Sequence, residues 1–274
     1  LGAVIVAPLV AFLSLNYDWQ TTFIILGAVG YLWLIAFWFT YYTPEKSIKE
    51  SKDRIIPPMK LFKTRFVSMF TLSKVFLDPV WYFVTFWIGR YLVDVHGWNM
   101  KQIGWFAMLP FIIADIGNFV GGYFTQYIIK QGIPIAKARM IAVSLSAGIM
   151  GVSLLLAPFL ITTPMSALII FGIVGFGYTS YTANALAIPA DVVPPSATAT
   201  VWGLACVGTG LGGALFQSVS GLTLKALTVS GNYTAGYNAL FYMFGAAAFI
   251  GLFIMLFLMG PLVKNKELEE YVKK

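Results

Sequence analysis

One cysteine and one histidine in 274 residues leave little for catalysis or metal binding to work with. A lone Cys206 rules out an internal disulfide and any cysteine-based metal cluster. His96 falls in a stretch read as a loop, where it is an exposed residue rather than a ligand. Charge is also scarce, at 11% of residues against about 25% in a soluble domain. No H-E-x-x-H, no G-x-S-x-G between strand and helix, and no phosphate-binding loop occurs, so neither an enzyme nor a cofactor is expected. What is present is apolar: 59% hydrophobic residues and a mean hydropathy of +0.80. That is the composition of a polytopic membrane protein. The formal charge of +7 does not point to nucleic acid, because the basic residues cluster beside apolar runs, where they set topology.

Eight apolar segments are read along the chain, near 1–15, 21–42, 70–94, 102–129, 139–161, 165–190, 199–225 and 238–261. They exceed 18 residues, apart from the first, and lack the alternation of a barrel strand. In lipid such runs satisfy their backbone as helices, giving an all-α fold. The first, "LGAVIVAPLVAFLSL", is too short for a span of about 20 residues and has no basic start. It is read as a truncated helix, and the chain as a fragment.

The basic residues orient the spans. Lys46, Lys49, Lys52, Arg54, Lys60, Lys63 and Arg65 fall in the connection 43–65. Lys130, Lys137 and Arg139 follow the fourth span, and Lys264, Lys266, Lys273 and Lys274 lie in the tail. With alternating spans these fourteen share one side, which the positive-inside rule makes cytoplasmic. The connection around Asp191 should lie there too but carries no Lys or Arg. The polar 43–65 connection, with Pro57-Pro58, separates two spans from six. The division expected is 1–42, a linker 43–65, a six-helix unit 66–262 and a cytoplasmic tail 263–274. Transporters built from two six-helix halves hold substrate between them at mid-membrane.

Four groups of residues stand out. In "DPVWYFVTFWIGRYL", Asp78 follows Lys74 by four and Asp94 follows Arg90 by four, so each pair can neutralise itself towards an end of the span. Asp78 and Arg90 either anchor and pair helices or belong to a gate, and Pro79 permits a bend. Trp81, Tyr82 and Thr85 share a face and suit either a sugar-like substrate or simple packing. In the fourth span, Asp115, Asn118, Gly122 and Thr125 form a polar stripe. An acid at mid-membrane there serves coupling or locks packing. In the sixth span, Tyr178, Tyr181 and Asn184 step by three, with Asn184 able to donate to and accept from a substrate. Trp81, Tyr82, Tyr181 and Asn184 are neutral, so an anionic substrate needs a cation from elsewhere. Arg90 stands too close to the outer end of its span to supply it.

The stretches "FLDPVWYFVTFWIGRYLVDVHGW", "LPFIIADIGNFVGGYFTQYIIKQG" and "TANALAIPADVVP" resemble the hexuronate transporter group. That group belongs to the anion:cation symporter family of the major facilitator superfamily. The resemblance implies a major facilitator fold with eight of its twelve transmembrane helices present. It also implies proton-coupled uptake of sugar acids such as glucuronate or galacturonate across the cytoplasmic membrane by alternating access. The implied partners are a small organic anion, the proton and membrane lipid. By the same resemblance Trp81, Tyr82 and Asn184 contribute to the substrate wall. Three departures stand against it. Tyr181 replaces the usual tryptophan, Gln126 and Tyr127 replace an acidic-basic pair, and Asp18-Trp19-Gln20 replaces Gly-Trp-Arg. A carrier for another organic anion or a neutral solute is the alternative.

The alternation of spans has a direct check. In a background without Cys206, cysteines introduced at Lys52 and Lys137 are expected to react only with reagent on the cytoplasmic side, and one at Lys101 only from outside. Reaction of positions 52 and 101 from the same side would overturn the eight-span reading.

Overall fold

The computed structural model describes residues 2–42, 56–228, 231–263, 268 and 270. The basic stretch 43–55 of the linker and most of the tail 263–274 lie outside the described residues. Among those described the chain is helical, without a strand. In chain order the helices are α1 (Gly2–Asn16), α2 (Trp19–Thr40), α3 (Pro58–Phe62), α4 (Arg65–His96), α5 (Met100–Phe106) and α6 (Met108–Lys130). They continue with α7 (Ile135–Leu160), α8 (Pro164–Ala185), α9 (Ile188–Val192), α10 (Pro195–Leu227) and α11 (Thr234–Phe253), which runs into a π-helical turn, Ile254–Leu258. Each apolar segment read from the sequence is thus a helix. Six stretches are long and apolar enough to cross a membrane: α2, α5 with α6, α7, α8 with α9, α10, and α11 with its π turn. The shorter α1 has 15 residues. At 32 residues α4 has ample length but carries Lys74, Asp78, Arg90 and Asp94.

Proline decides where two of these spans break. Pro110 has no N–H to give the carbonyl of residue 106, and α5 ends at Phe106. Pro189 stands in the same relation to residue 185, and α8 ends at Ala185. In both cases the ring also clashes with that carbonyl. Pro79 sits inside α4 without ending it. The Val75 carbonyl it leaves free lies against α10 at Gly212, where a Cβ would stand only 2.2 Å from that oxygen. Elsewhere capping is local. Asp18 accepts the Thr21 N–H at 2.7 Å, and hydrogen bonds from Thr21 hold its carboxyl below the ordinary value. Gly97 closes α4 in the left-handed conformation, φ 66°. Its N–H reaches the Val93 carbonyl, and that of Trp98 reaches Leu92, an arrangement that favours glycine.

Helix α4 runs through the middle of the bundle, against α8, α10 and α11. Phe83 on it packs against Phe171 of α8 and Phe241 and Phe244 of α11, with the Phe83 and Phe244 ring centroids 4.5 Å apart. Helices α6, α7 and α8 make a second layer, joined to the first by α7 on α11. α1 lies at the edge, against α5 and α6, and α2 packs on α1 alone among the larger contacts. Two ties mark one end of the bundle. Arg65 donates to the carbonyls of Leu258 and Phe257, and Arg139 of α7 pairs with Asp191 of α9. The second tie places the connection around Asp191, which has no Lys or Arg, on the same side as the basic one before α7, agreement that charge counting did not supply.

The most extensive contact joins α6 to α8. Ala114, Gly117, Gly121 and Thr125 face α8, and a Cβ on Gly121 would sit 2.6 Å from the Ser180 Cα. Thr179 donates to the Ala114 carbonyl, Ser180 to Gly117 and Asn184 to Gly121. Small residues let the backbones approach, and hydroxyls then bond across the gap. The sequence placed the stripe at Asp115, Asn118, Gly122 and Thr125, one residue out of phase except at its end. Asn118 is exposed instead, and Gly122 borders open space. Gly121→Val is therefore expected to lower the thermal stability of detergent-solubilised protein by about 1–3 kcal/mol or more through overpacking. Gly122→Ala, in the same helix, is expected to leave it unchanged or raise it by up to about 1 kcal/mol. Equal effects would show that the α6–α8 approach is not limiting.

Candidate functional site

Helix α4 extends further than its apolar run. Its midpoint falls between Val80 and Trp81, so Asp78 stands about 4 Å from it and Lys74 about 10 Å. Asp78 therefore lies near mid-helix rather than towards an end, because the polar first turns from Arg65 belong to the same helix. Both members of the pair are buried, Lys74 4% and Asp78 3% exposed. Lys74 Nζ donates to Asp78 Oδ1 at 3.3 Å. The second carboxylate oxygen accepts from the Thr209 hydroxyl of α10. Around the ammonium stand three rings, Tyr181 and Trp202 at 5.3 Å and Phe70 at 6.0 Å. Taking two charges out of water is costly, and such a pair persists only when its remaining bonding capacity is met. Here Thr209 meets it for the carboxylate, and the ring faces meet part of it for the ammonium.

Next to this pair lies an aromatic wall. Trp81 stacks on Tyr178 of α8, centroids 5.2 Å apart and planes 7° apart, and meets Phe111 edge-on. Tyr178 in turn leans on Tyr181. Tyr82 lies over Gly213 of α10, whose lack of a side chain admits the ring. Trp81, Tyr82 and Tyr178 are half-buried, whereas Tyr181 is fully buried. The Tyr181 hydroxyl has no partner among the described residues. The wall therefore offers flat apolar faces beside hydroxyls and one buried cation.

The structure brings Asp78, Trp81, Tyr82, Tyr178 and Tyr181 together with Lys74, and turns Arg90 and Asn184 away from them. The Thr85 hydroxyl is used within α4, donating to the Trp81 carbonyl. Arg90 lies about 18 Å from Asp78 along the helix. Its side chain is 61% exposed, paired with Asp94, which also accepts from Tyr237. Asp115 is half-buried on α6 beside Ala114. Asn184 is 1% exposed and turned to α6. Its amide donates to Gly121 and Ser180, and its oxygen accepts from Thr125 at 2.6 Å. Steps of three drift by about 60° each, so Asn184 is rotated about 120° from Tyr178. The sequence did not anticipate Thr209 or Trp202, which reach the pair from α10. It paired Lys74 with Asp78 by spacing but left Lys74 out of the wall.

The Major Facilitator Superfamily model matches residues 1–217. The chain belongs to the Major Facilitator Superfamily. It is a multi-pass membrane protein. It is similar to the hexuronate transporter of Escherichia coli K12, 26% identical over 93% of this chain and 61% of that protein. It is also similar to the galacturonate transporter of Dickeya chrysanthemi, 24% identical over 55% of this chain and 49% of that protein. Among solved structures it shares its fold with a bacterial homolog to the human lysosomal transporter Spinster, in an inward-facing and unoccupied conformation. The TM-score is 0.57, with 18% identity over 89% of this chain and 58% of that one. The chain thus spans about 60% of the length of the Escherichia coli relative.

Asn184→Ala removes the clamp between α6 and α8. Its expected result is lower membrane abundance and a loss of about 1–3 kcal/mol in stability. Normal abundance and melting, measured in membranes and detergent, would show that the clamp is dispensable and leave Asn184 free for a substrate role.

Proposed function

We propose that the full-length carrier takes up sugar acids, glucuronate or galacturonate, together with protons, by alternating access across the cytoplasmic membrane. The observation that carries this reading is the Trp81–Tyr178 stack standing beside hydroxyls and a buried lysine. A pyranose ring presents apolar C–H faces to aromatic rings and hydroxyls to their polar edges. Residues 66–262 form the second six-helix half, 43–65 the cytoplasmic linker, and 1–42 the last two helices of the first half. Trp81 and Tyr82 line the substrate path, with Thr85 and Tyr181 beside them. Asn184 supports the wall by holding α8 to α6. Asp78 and Asp115 serve coupling, and Arg90 with Asp94 works at the outer end. The names of the relatives support the sugar-acid class.

The test is uptake of labelled glucuronate into proteoliposomes holding the full-length protein. An inward-directed proton gradient is expected to raise accumulation several-fold, and excess glucose is expected not to compete. Competition by glucose as strong as that by galacturonate, or no response when the gradient is collapsed, would overturn the sugar-acid:proton reading.

A further inference from the structure

A sugar acid brings a carboxylate, and Lys74 is the cation placed to receive it. Its ammonium has three donors but one oxygen partner among the described residues, Asp78 Oδ1. The other directions are occupied by the rings of Tyr181, Trp202 and Phe70. Rings attract a cation more weakly than an oxyanion does, so the ammonium has capacity for a second acceptor. The Tyr181 hydroxyl, buried and without a partner among the described residues, belongs to one of those rings. Asp78 does not depend on Lys74 alone, because Thr209 holds its other oxygen.

Resting on the sugar-acid reading, we propose that Lys74 exchanges partners, holding Asp78 in the empty carrier and the substrate carboxylate in the loaded one, while Asp78 takes a proton. The physical driver is burial. Once the substrate carboxylate has taken the ammonium, Asp78 is an unpaired carboxylate away from water, and binding one proton from solvent relieves that cost. Thr209 suits both forms, since a hydroxyl donates to a carboxylate and accepts from a carboxylic acid. One anion and one proton enter the site together, so the transported charge is balanced. The groups facing Asp78 fit this assignment. They are Lys74 and Tyr82 of α4, Tyr178 and Tyr181 of α8, and Thr209 of α10. Helix α11 meets this part of α4 through Gly251, against Ser73 and Leu77. Lys74 is the cation of that set.

The experiment uses the full-length carrier in proteoliposomes, with labelled glucuronate, glucose as competitor, and membrane abundance measured for each variant. Asp78→Asn keeps the lysine and removes the proton acceptor. It is expected to exchange glucuronate across the membrane without being driven by the proton gradient. Lys74→Met combined with Asp78→Asn removes both charges together, which a buried pair tolerates far better than loss of one partner. It is expected to lose the preference for glucuronate over glucose by about tenfold or more. Gradient-driven uptake in Asp78→Asn overturns the proposal, and so does an intact acid preference in the double variant. Should Asp78→Asn not reach the membrane, the acid preference of the double variant still decides. Wild-type carrier that takes up no sugar acid would instead sink the sugar-acid reading itself, and partner exchange with it. Wild-type uptake combined with either contrary variant result would sink partner exchange alone.

Discussion

Without water in the hydrocarbon, each buried polar group has to find its partner inside the protein. That constraint organises the α6–α8 contact, where Thr179, Ser180 and Asn184 give their hydrogen bonds to carbonyls of the neighbouring helix. It governs the Arg65 cap on the π turn, whose last carbonyls would otherwise lack donors. It also explains why a lysine and an aspartate survive in the middle of α4. Each is the other's partner, and α8 and α10 complete the shell around them.

The same helix therefore serves structure and site. One side of α4 is core, with Phe83 among the rings of α8 and α11. A neighbouring side carries Lys74, Asp78, Trp81 and Tyr82. Small residues on α10 make this possible. Gly208 and Gly212 let its backbone approach Thr71 and Val75 of α4, and Gly213 leaves room for the Tyr82 ring. That close approach delivers Thr209 to Asp78. A glycine stripe that reads as packing is thus also what positions a polar contact at the site.

Fixing a charged pair in a rigid setting has a consequence for transport. Interactions made equally in empty and loaded states shift no equilibrium, whereas a partner that changes between them does. The clamp of Asn184 and the ring packing at Phe83 belong to the first kind. In the partner exchange proposed above, Lys74, with one oxygen partner among the described residues and three rings around it, belongs to the second.

Much of the architecture was legible in the amino-acid sequence, for a physical reason. Long apolar runs in lipid have one way to satisfy their backbone, so the eight helices follow from hydropathy, and Pro110 and Pro189 break two of them by local chemistry. Spacing by four was enough to pair Lys74 with Asp78 and Arg90 with Asp94. Tertiary structure decided the rest. A step of three along α8 does not hold one face, so Tyr181 turns to α4 while Asn184 turns to α6. A shift of one residue moves the polar stripe of α6 from Asp115 and Asn118 to Ala114 and Gly117. Arg139 and Asp191, 52 positions apart, and Thr209 and Asp78, 131 apart, meet only because their helices pack. Periodicity reports which residues share a helix face to within tens of degrees. Which neighbour that face meets, and which cation stands beside which ring, depends on packing between helices distant in sequence.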